Sequence, residues 1–317
     1  MTAGIDDRFV HPALFYRSDE DYLAALVPFV VDGLDLGQSV ALAVPGRKLD
    51  LVRGALGGNA RHVTLLDMAH EGRNPGRIIA RVLRRFADRY RDRHVRIVGE
   101  PIWAGRSGVE YPACAQHEAL INAAFAGRDV TILCPYDVSA LDERALADAR
   151  ATHPVIWEDA RRYASDRYAP EAVVARYNEP FPDTTTGAAV LVLESSADLG
   201  RARRLATGHA RELGLADERV SDLELIVTEL TTNSLRHTDG PCRLAVRREH
   251  DHLVCEVSDT GRLADPLAGR HPAEPGQPAG RGLLLVNDLA DLVRVHRRAD
   301  GTTVRALLRL DPVRGGT

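Results

Sequence analysis

The sequence predicts two successive folds, an α/β domain with a mostly parallel sheet followed by an α+β two-layer sandwich. Three observations carry this. Short apolar runs alternate with amphipathic helical stretches through the first half. The periodicity stops at Asn178-Glu179-Pro180-Phe181-Pro182-Asp183-Thr184-Thr185-Thr186-Gly187, a stretch rich in turn formers that reads as a linker. Beyond it, helices follow helices and strands follow strands, the pattern of one helical layer on one antiparallel sheet. A chain of 317 residues has room for two such domains. The expected limits are residues 1–178, a linker at 179–187, and 188–317.

In the first half, Asp19 to Gly33 places Tyr22, Leu23, Leu26, Phe29 and Val30 on one helical face. Ser39 to Val44 is apolar, closed by Pro45-Gly46, and reads as a buried strand. His62 to Leu66 is a second strand. Pro75 to Tyr90 is a helix striped by Ile78, Ile79, Val82, Leu83 and Phe86. Val95 to Val98 is a third strand, Pro112 to Phe125 a helix, and Val130 to Cys134 a fourth strand ended by Pro135. In such sheets ligands sit beyond the C-terminal strand ends, which draws attention to Glu100, Trp103, Cys134, Tyr136 and Asp137. His11 reads as an ordinary turn residue in preference to a ligand or metal contact.

In the second half, Val190 to Leu193 is a strand. Ala197 to Leu213 and Asp217 to His237 are consecutive helices. Arg243 to Arg248 and Leu253 to Ser258 form a hairpin. A Pro/Gly-rich stretch covers Gly261 to Gly280. Gly282 to Leu292 is a helix, followed by strands at Val293 to Arg297 and Thr303 to Leu310.

Composition removes several function classes. Of 41 basic residues, Lys48 alone is lysine and the rest are arginine. A phosphate-binding P-loop needs a lysine inside its glycine-rich turn, and Val44-Pro45-Gly46-Arg47-Lys48-Leu49 lacks that spacing. A Schiff-base enzyme would have Lys48 or nothing. The net charge of −4 argues against a general nucleic-acid binder. No apolar run approaches the roughly 20 residues that span a bilayer, and the first residues do not read as a signal peptide. Cys114, Cys134, Cys242 and Cys255 form no C-x-x-C pair and read as reduced, buried thiols of a cytoplasmic protein with no part in metal binding.

The chemistry concentrates in four segments of the second half. Glu229 and Asn233 are four apart and share one helix face. A carboxylate and an amide oxygen projecting together suit Mg²⁺, a hard ion that prefers oxygen ligands. Asp259 and Gly261 end an apolar strand, where a carboxylate can accept a hydrogen bond from an exocyclic amine and a glycine lets the backbone approach a ligand. Gly280-Arg281-Gly282-Leu283 opens a helix, whose exposed N–H groups attract phosphate. Thr302 and Thr303 introduce the last strand, where a threonine hydroxyl can bond a base or a bound water.

That order, Glu229-x-x-x-Asn233, Asp259-x-Gly261, Gly280-x-Gly282-Leu283, Gly301-Thr302, resembles the GHKL ATPase fold of gyrase, heat-shock chaperones, histidine kinases and mismatch-repair ATPases. Its compact form is similar to the Rsb-type anti-sigma serine/threonine kinases, over about residues 188–312. The resemblance implies ATP and Mg²⁺ as cofactors, with Asn233 holding the metal, Asp259 reading adenine, and Gly261, Gly280 and Gly282 lining the phosphates. It implies that Glu229 is the general base toward a substrate hydroxyl, and that the partners are a sigma factor and a STAS-domain anti-anti-sigma protein. It also implies a homodimer. Arg236, Arg262, Arg270 and Arg281 are the cations available to the phosphates. The G1 box of the family is Asp-x-Gly-x-Gly, and Leu263 stands here at its second glycine. The lid, Arg262 to Ala279, is short.

The first half resembles the MEDS sensory domain through His11-Pro12-Ala13-Leu14-Phe15-Tyr16, Gly99-Glu100-Pro101-Ile102-Trp103, His117-Glu118-Ala119-Leu120-Ile121-Asn122 and Cys134-Pro135-Tyr136-Asp137, over about residues 9–177. That family is similar to a RecA-like α/β fold without its phosphate loop, and implies sensing without implying the ligand; a small-molecule signal is one candidate partner. The expected function is a cytoplasmic anti-sigma switch in which a sensory domain controls an ATP-binding module, without direct contact to nucleic acid or membrane. The alternatives are a non-phosphorylating interaction module and a histidine kinase. The latter needs a phosphoacceptor histidine on a dimerising helix upstream, whereas His209 lies on the first helix of the module itself.

Overall fold

The computed structural model describes residues 8–182, 186–272 and 280–311. The centre of the expected linker, Asp183 to Thr185, and the second half of the expected lid, Ala273 to Ala279, lie outside the described residues. The chain divides into two compact units, Met1–Tyr177 and Asn178–Thr317.

Unit 1 begins with β1 (Phe9–Val10) and β2 (Pro12–Tyr16), separated by His11. Helix α1 (Asp19–Asp35) starts at Ser18, whose hydroxyl accepts the Asp21 N–H, and buries Tyr22, Leu26, Phe29 and Val30. Then come β3 (Ser39–Val44), α2 (Gly46–Leu56) and β4 (Thr64–Asp67). His62 belongs to a 3₁₀ turn, Gly57–His62, instead of the strand expected there. Short helices follow, α3 (Met68–Glu71), α4 (Pro75–Ile78) and α5 (Arg85–Ala87), the last two joined through a π-helical turn at Ile79–Arg84 that keeps Ile79, Val82 and Leu83 buried. β5 (Val95–Gly99), α6 (Tyr111–Ala124), β6 (Val130–Asp137), α7 (Glu143–Thr152), β7 (Val155–Glu158), β8 (Arg161–Ala164) and α8 (Pro170–Arg176) complete the unit.

The sheet runs β4-β3-β5-β6-β2-β7-β8, with β1 also on β6. Its pairings are parallel except for the β7–β8 hairpin. Pro135 does not end β6. Pairing with β5 stops at Leu133, while Ala13 to Tyr16 of β2 pair with Cys134 to Asp137. The missing N–H therefore falls where one flank of the strand is already open. His11 is not a turn residue either. It sits in the β1–β2 break, fully buried.

Unit 2 is an antiparallel sheet of order β12-β13-β11-β10-β9 under three helices. Its elements are β9 (Ala189–Leu193), α9 (Leu199–Glu212), α10 (Asp217–His237), β10 (Cys242–Glu249), β11 (His252–Asp259), α11 (Arg281–Leu289), β12 (Leu292–Arg298) and β13 (Gly301–Arg309). Ala202, Ala206 and Ala210 of α9 and Leu223, Ile226, Val227 and Leu230 of α10 meet Leu244, Val246, Cys255 and Val257 in one apolar layer. All four cysteines are free and buried. Among the described residues, no helix is long and apolar enough to cross a membrane.

Candidate functional site

In unit 2 the ends of α10, β11, β13 and α11 converge on a cleft of about 290 Å³ lined by Asn233, Asp259, Gly261, Arg262, Leu263, Leu283 and Thr302, with Leu230, Val257 and Val304 as its apolar floor. Asn233, Asp259, Gly261, Leu283 and Thr302, all singled out by the sequence, therefore meet at one place, although the chain separates them by as many as 69 positions. The helix period puts the apolar residues of α10 into the core and leaves Glu229 and Asn233 half-buried on the face toward α11.

Asp259 is positioned on both oxygens. Oδ1 accepts the Gly261 N–H at 2.8 Å, and Oδ2 accepts the Ser234 hydroxyl. Ser234 is a site residue the sequence reading missed, and its only signal was its place beside Asn233. Thr302 is buried and braces the same loop. Its hydroxyl donates to the Gly261 carbonyl at 2.7 Å and accepts the Leu263 N–H at 3.1 Å. The side chain that stands at the absent G1 glycine thus belongs to a loop whose backbone is held by Thr302. Thr303 is not among the cleft residues, because strand alternation sends it to the other face of β13.

At two glycines an added Cβ would crowd its neighbours. A Cβ on Gly261 would stand 2.5 Å from Thr238 Cγ2. A Cβ on Gly282 would stand 2.6 Å from Glu229 Oε2 and 2.8 Å from Asn233 Nδ2. The absence of a side chain there lets the start of α11 approach the two polar residues of α10. Gly280 caps α11 with φ of +88°, a conformation that favours glycine. Arg281, the first residue of α11, is exposed, Arg262 lines the cleft, Arg236 is exposed and Arg270 is buried. The first N–H groups of α11 have no partner within the helix and carry its positive dipole end. A carboxylate for an amine, an apolar floor for a flat ring, oxygen donors for a hard cation and a helix N-terminus suit a purine nucleotide with Mg²⁺. Substituting Gly282→Ala is expected to push the flexible ends of Glu229 and Asn233 aside while leaving the fold intact. It should weaken Mg-nucleotide binding at least tenfold by calorimetry, with an unchanged melting temperature in the absence of nucleotide.

In unit 1 the five residues expected near strand ends divide between separate places. Glu100 is buried under α1 and accepts the hydroxyls of Tyr16 and Tyr22 at 3.1 Å each. Lys48 closes the same spot, with Nζ 4.6 and 4.5 Å from the two ring centres and bonded to Asp19 at 2.6 Å. Burial pushes the Glu100 carboxyl up to about 7, despite the tyrosine hydrogen bonds and the Lys48 charge that oppose the shift. Asp137 bonds the Ser139 N–H and hydroxyl. Trp103 lies under the Arg106 guanidinium at 4.1 Å. Cys134 and Tyr136, on the other face of β6 from Asp137, are buried near His153, with Cys134 also beside His11.

The geometry defines an α/β domain with a mostly parallel sheet and an α+β sandwich that carries a polar cleft. Residues 10–154 match the MEDS family, the methanogen/methylotroph, DcmR sensory domain. Residues 193–308 match the histidine kinase-like ATPase domain. Each match covers less than half of the chain, and the second segment is similar to Rsb-type proteins. The serine-protein kinase RsbW of Oceanobacillus iheyensis is 26% identical over 114 residues, 32% of this chain and 72% of the relative. The anti-sigma F factor of Pasteuria penetrans is 28% identical over 109 residues, 31% of this chain and 73% of the relative. The RsbU and RsbW domains of a Mycobacterium tuberculosis protein overlay with a TM-score of 0.31 at 20% identity, across 44% of this chain and 35% of that one.

Proposed function

We propose that this chain is an anti-sigma switch in which unit 2 binds Mg-ATP and a sigma factor and phosphorylates a STAS-domain anti-anti-sigma protein on serine or threonine, under control of unit 1. The observation that carries the reading is the convergence of Asp259, Gly261, Thr302 and Asn233 on one cleft, with Glu229 and Gly282 at its edge. Asp259 reads the adenine amine. Asn233 would hold Mg²⁺, and the ion together with the α11 amides and the arginines would meet the phosphate charge. Glu229 accepts the proton of the attacking hydroxyl. Phosphoryl transfer then depends chiefly on positioning and charge stabilisation. A phosphohistidine mechanism is disfavoured, because both ring nitrogens of His209 are engaged, by Glu212 at 3.0 Å and by the Gly187 carbonyl at 3.2 Å.

The test is calorimetry of the full chain with Mg-ATP, followed by capture of partners on the immobilised chain. Binding of one Mg-ATP per chain and recovery of a sigma factor or a small STAS protein are expected. Because a ligand that binds only the folded state stabilises it by RT ln(1 + [L]/Kd), Mg-ATP at about 100 times its Kd should add about 2.7 kcal/mol to unit 2. No heat and no thermal shift would remove the kinase reading. ATP binding without transfer to the captured STAS protein would favour a non-phosphorylating interaction module, the reading suggested by Leu263 in the G1 box.

A further inference from the structure

Four side chains from four separate places in unit 1 meet in its interior. They are His11 at the β1–β2 break, Glu118 on α6, Cys134 on β6 and His153 after α7. Each offers one ligand atom, and these atoms lie within 4.8 Å of one another. His11 Nε2 is 3.4 Å from Cys134 Sγ and 3.4 Å from Glu118 Oε2, and His153 Nε2 is 3.1 Å from the same carboxylate oxygen. All four residues are sealed from solvent, with exposures of 0–1%.

The hydrogen bonds around the cluster fix how its nitrogens face. His153 Nδ1 lies 2.8 Å from the Ala149 carbonyl, which only accepts, so Nδ1 carries the proton. His11 Nδ1 lies 3.1 Å from Asn122 Oδ1. The Asn122 amide nitrogen donates to the Ala119 and Thr152 carbonyls at 3.1 and 2.8 Å, which identifies Oδ1 as an acceptor and gives His11 the same tautomer. With Nδ1 so engaged on both rings, each imidazole turns its Nε2 toward the Glu118 carboxylate. Neither Glu118 oxygen nor His153 Nε2 has a hydrogen-bond partner among the described residues. Acceptors facing acceptors in a dry interior need a cation between them. Protons alone leave a Glu118 oxygen unmet, and two imidazolium rings with centroids 4.0 Å apart would repel.

We propose that unit 1 holds a structural zinc ion bound by His11 Nε2, Glu118, Cys134 Sγ and His153 Nε2. Ligand bonds of about 2.0–2.3 Å in a tetrahedron separate neighbouring ligand atoms by about 3.3–3.8 Å, close to the separations observed. Two imidazoles, a thiolate and a carboxylate match the N/S/O preference of Zn²⁺. With Zn²⁺ bound and the Cys134 proton released to solvent, two negative ligands balance two positive charges, so the sealed site is neutral. The Nδ1 bonds to Asn122 and Ala149 are the outer contacts that hold ligating histidines in place. Four protein ligands leave no open position, so the ion fastens the first strands to α6, β6 and the start of β7 and takes no part in catalysis. This departs from the expectation that the cysteines stay clear of metal. Spacing within the chain could not reveal it, because the ligands are contributed by distant elements.

The experiment uses the full chain expressed with zinc in the medium. Elemental analysis should find one zinc per chain, falling at least fivefold in Cys134→Ser and His153→Ala. Because those variants could misfold, the unaltered chain is also stripped of metal and titrated with Co²⁺. A thiolate-to-cobalt charge-transfer band and the intense visible bands of tetrahedral cobalt should saturate at one equivalent and bleach on addition of Zn²⁺. Removal of the ion should lower the melting temperature of unit 1 by several degrees, reversed by Zn²⁺. Absence of bound metal together with absence of the cobalt band would overturn the site. So would zinc retained in full by a folded Cys134→Ser chain. Iron or copper in place of zinc would overturn the assignment of the ion.

Discussion

Replacing Glu229 with glutamine is expected to lower phosphoryl transfer to a STAS partner by about 10²–10⁴-fold, the usual contribution of a positioned general base. Glutamine keeps the size and planarity of the side chain but cannot accept the proton of an attacking hydroxyl. Nucleotide affinity should stay within about threefold, because the groups for the base and the loop around it are Asp259, Ser234, Gly261 and Thr302, at the other side of the cleft. The measurement pairs single-turnover transfer of labelled γ-phosphate with calorimetric binding of Mg-ATP. A transfer rate unchanged in Glu229→Gln would remove the base assignment. Loss of binding would make Glu229 part of the nucleotide grip. The glycine variant supplies the contrast, since a Cβ at position 282 disturbs Glu229 and Asn233 together and should affect binding as well as transfer.

Glu100→Gln is expected to stabilise unit 1 at pH 8 and to do nothing useful at pH 4. Burial raises the Glu100 carboxyl from 4.5 to about 7 in the folded chain. Between those values the folded state keeps a proton that the unfolded state releases. Stability therefore falls as pH rises from about 4.5 to about 7 and levels off above, a total of roughly 3 kcal/mol. Glutamine cannot ionise and escapes that loss. It also offers one acceptor where the carboxylate offers two, so one of Tyr16 and Tyr22 loses its partner at about 1 kcal/mol. A net gain of about 1–2 kcal/mol is expected at pH 8, turning to a small deficit at pH 4. Urea unfolding followed by tryptophan fluorescence isolates the effect, because Trp103 and Trp157, the two tryptophans of the chain, both belong to unit 1. A variant less stable than the parent at pH 8 would mean that Lys48 and the tyrosine hydroxyls offset the burial of the ionised Glu100.

Periodicity made the longer helices α1, α6, α9 and α10 and most strands legible, while α2, α7 and α8 went unread. The apolar stripes of α1 and α10 and the runs of β3, β5 and β11 each follow a single local rule, and the structure places their ends within a few residues of the expectation. The strands at Pro12–Tyr16, Val155–Glu158 and Arg161–Ala164 went unread. Prolines and histidines border the first two, the third is exposed throughout, and pairing with neighbours defines all three. β6 passed through Pro135 for the same reason, since the cost of a missing N–H depends on what flanks it.

The cleft proposed for nucleotide was partly legible, because Asn233, Asp259, Gly261, Leu283 and Thr302 belong to short motifs that the fold brings to one place. Asp259 with Gly261, and Gly280 with Gly282, announce themselves within a few positions. What only the tertiary structure decided is how the cleft is held: Ser234 and Thr302 bond to groups 25 and 41 residues away. It also decided that Glu100 is enclosed by Tyr16, Tyr22 and Lys48, and that His11, Glu118, Cys134 and His153 share one sealed space. By itself the sequence determined the elements and the motif chemistry, including the exclusion of a P-loop by the single lysine, because these depend on neighbours along the chain. The buried polar clusters depend on neighbours across the sheet, where strand pairing and desolvation set which groups must satisfy one another.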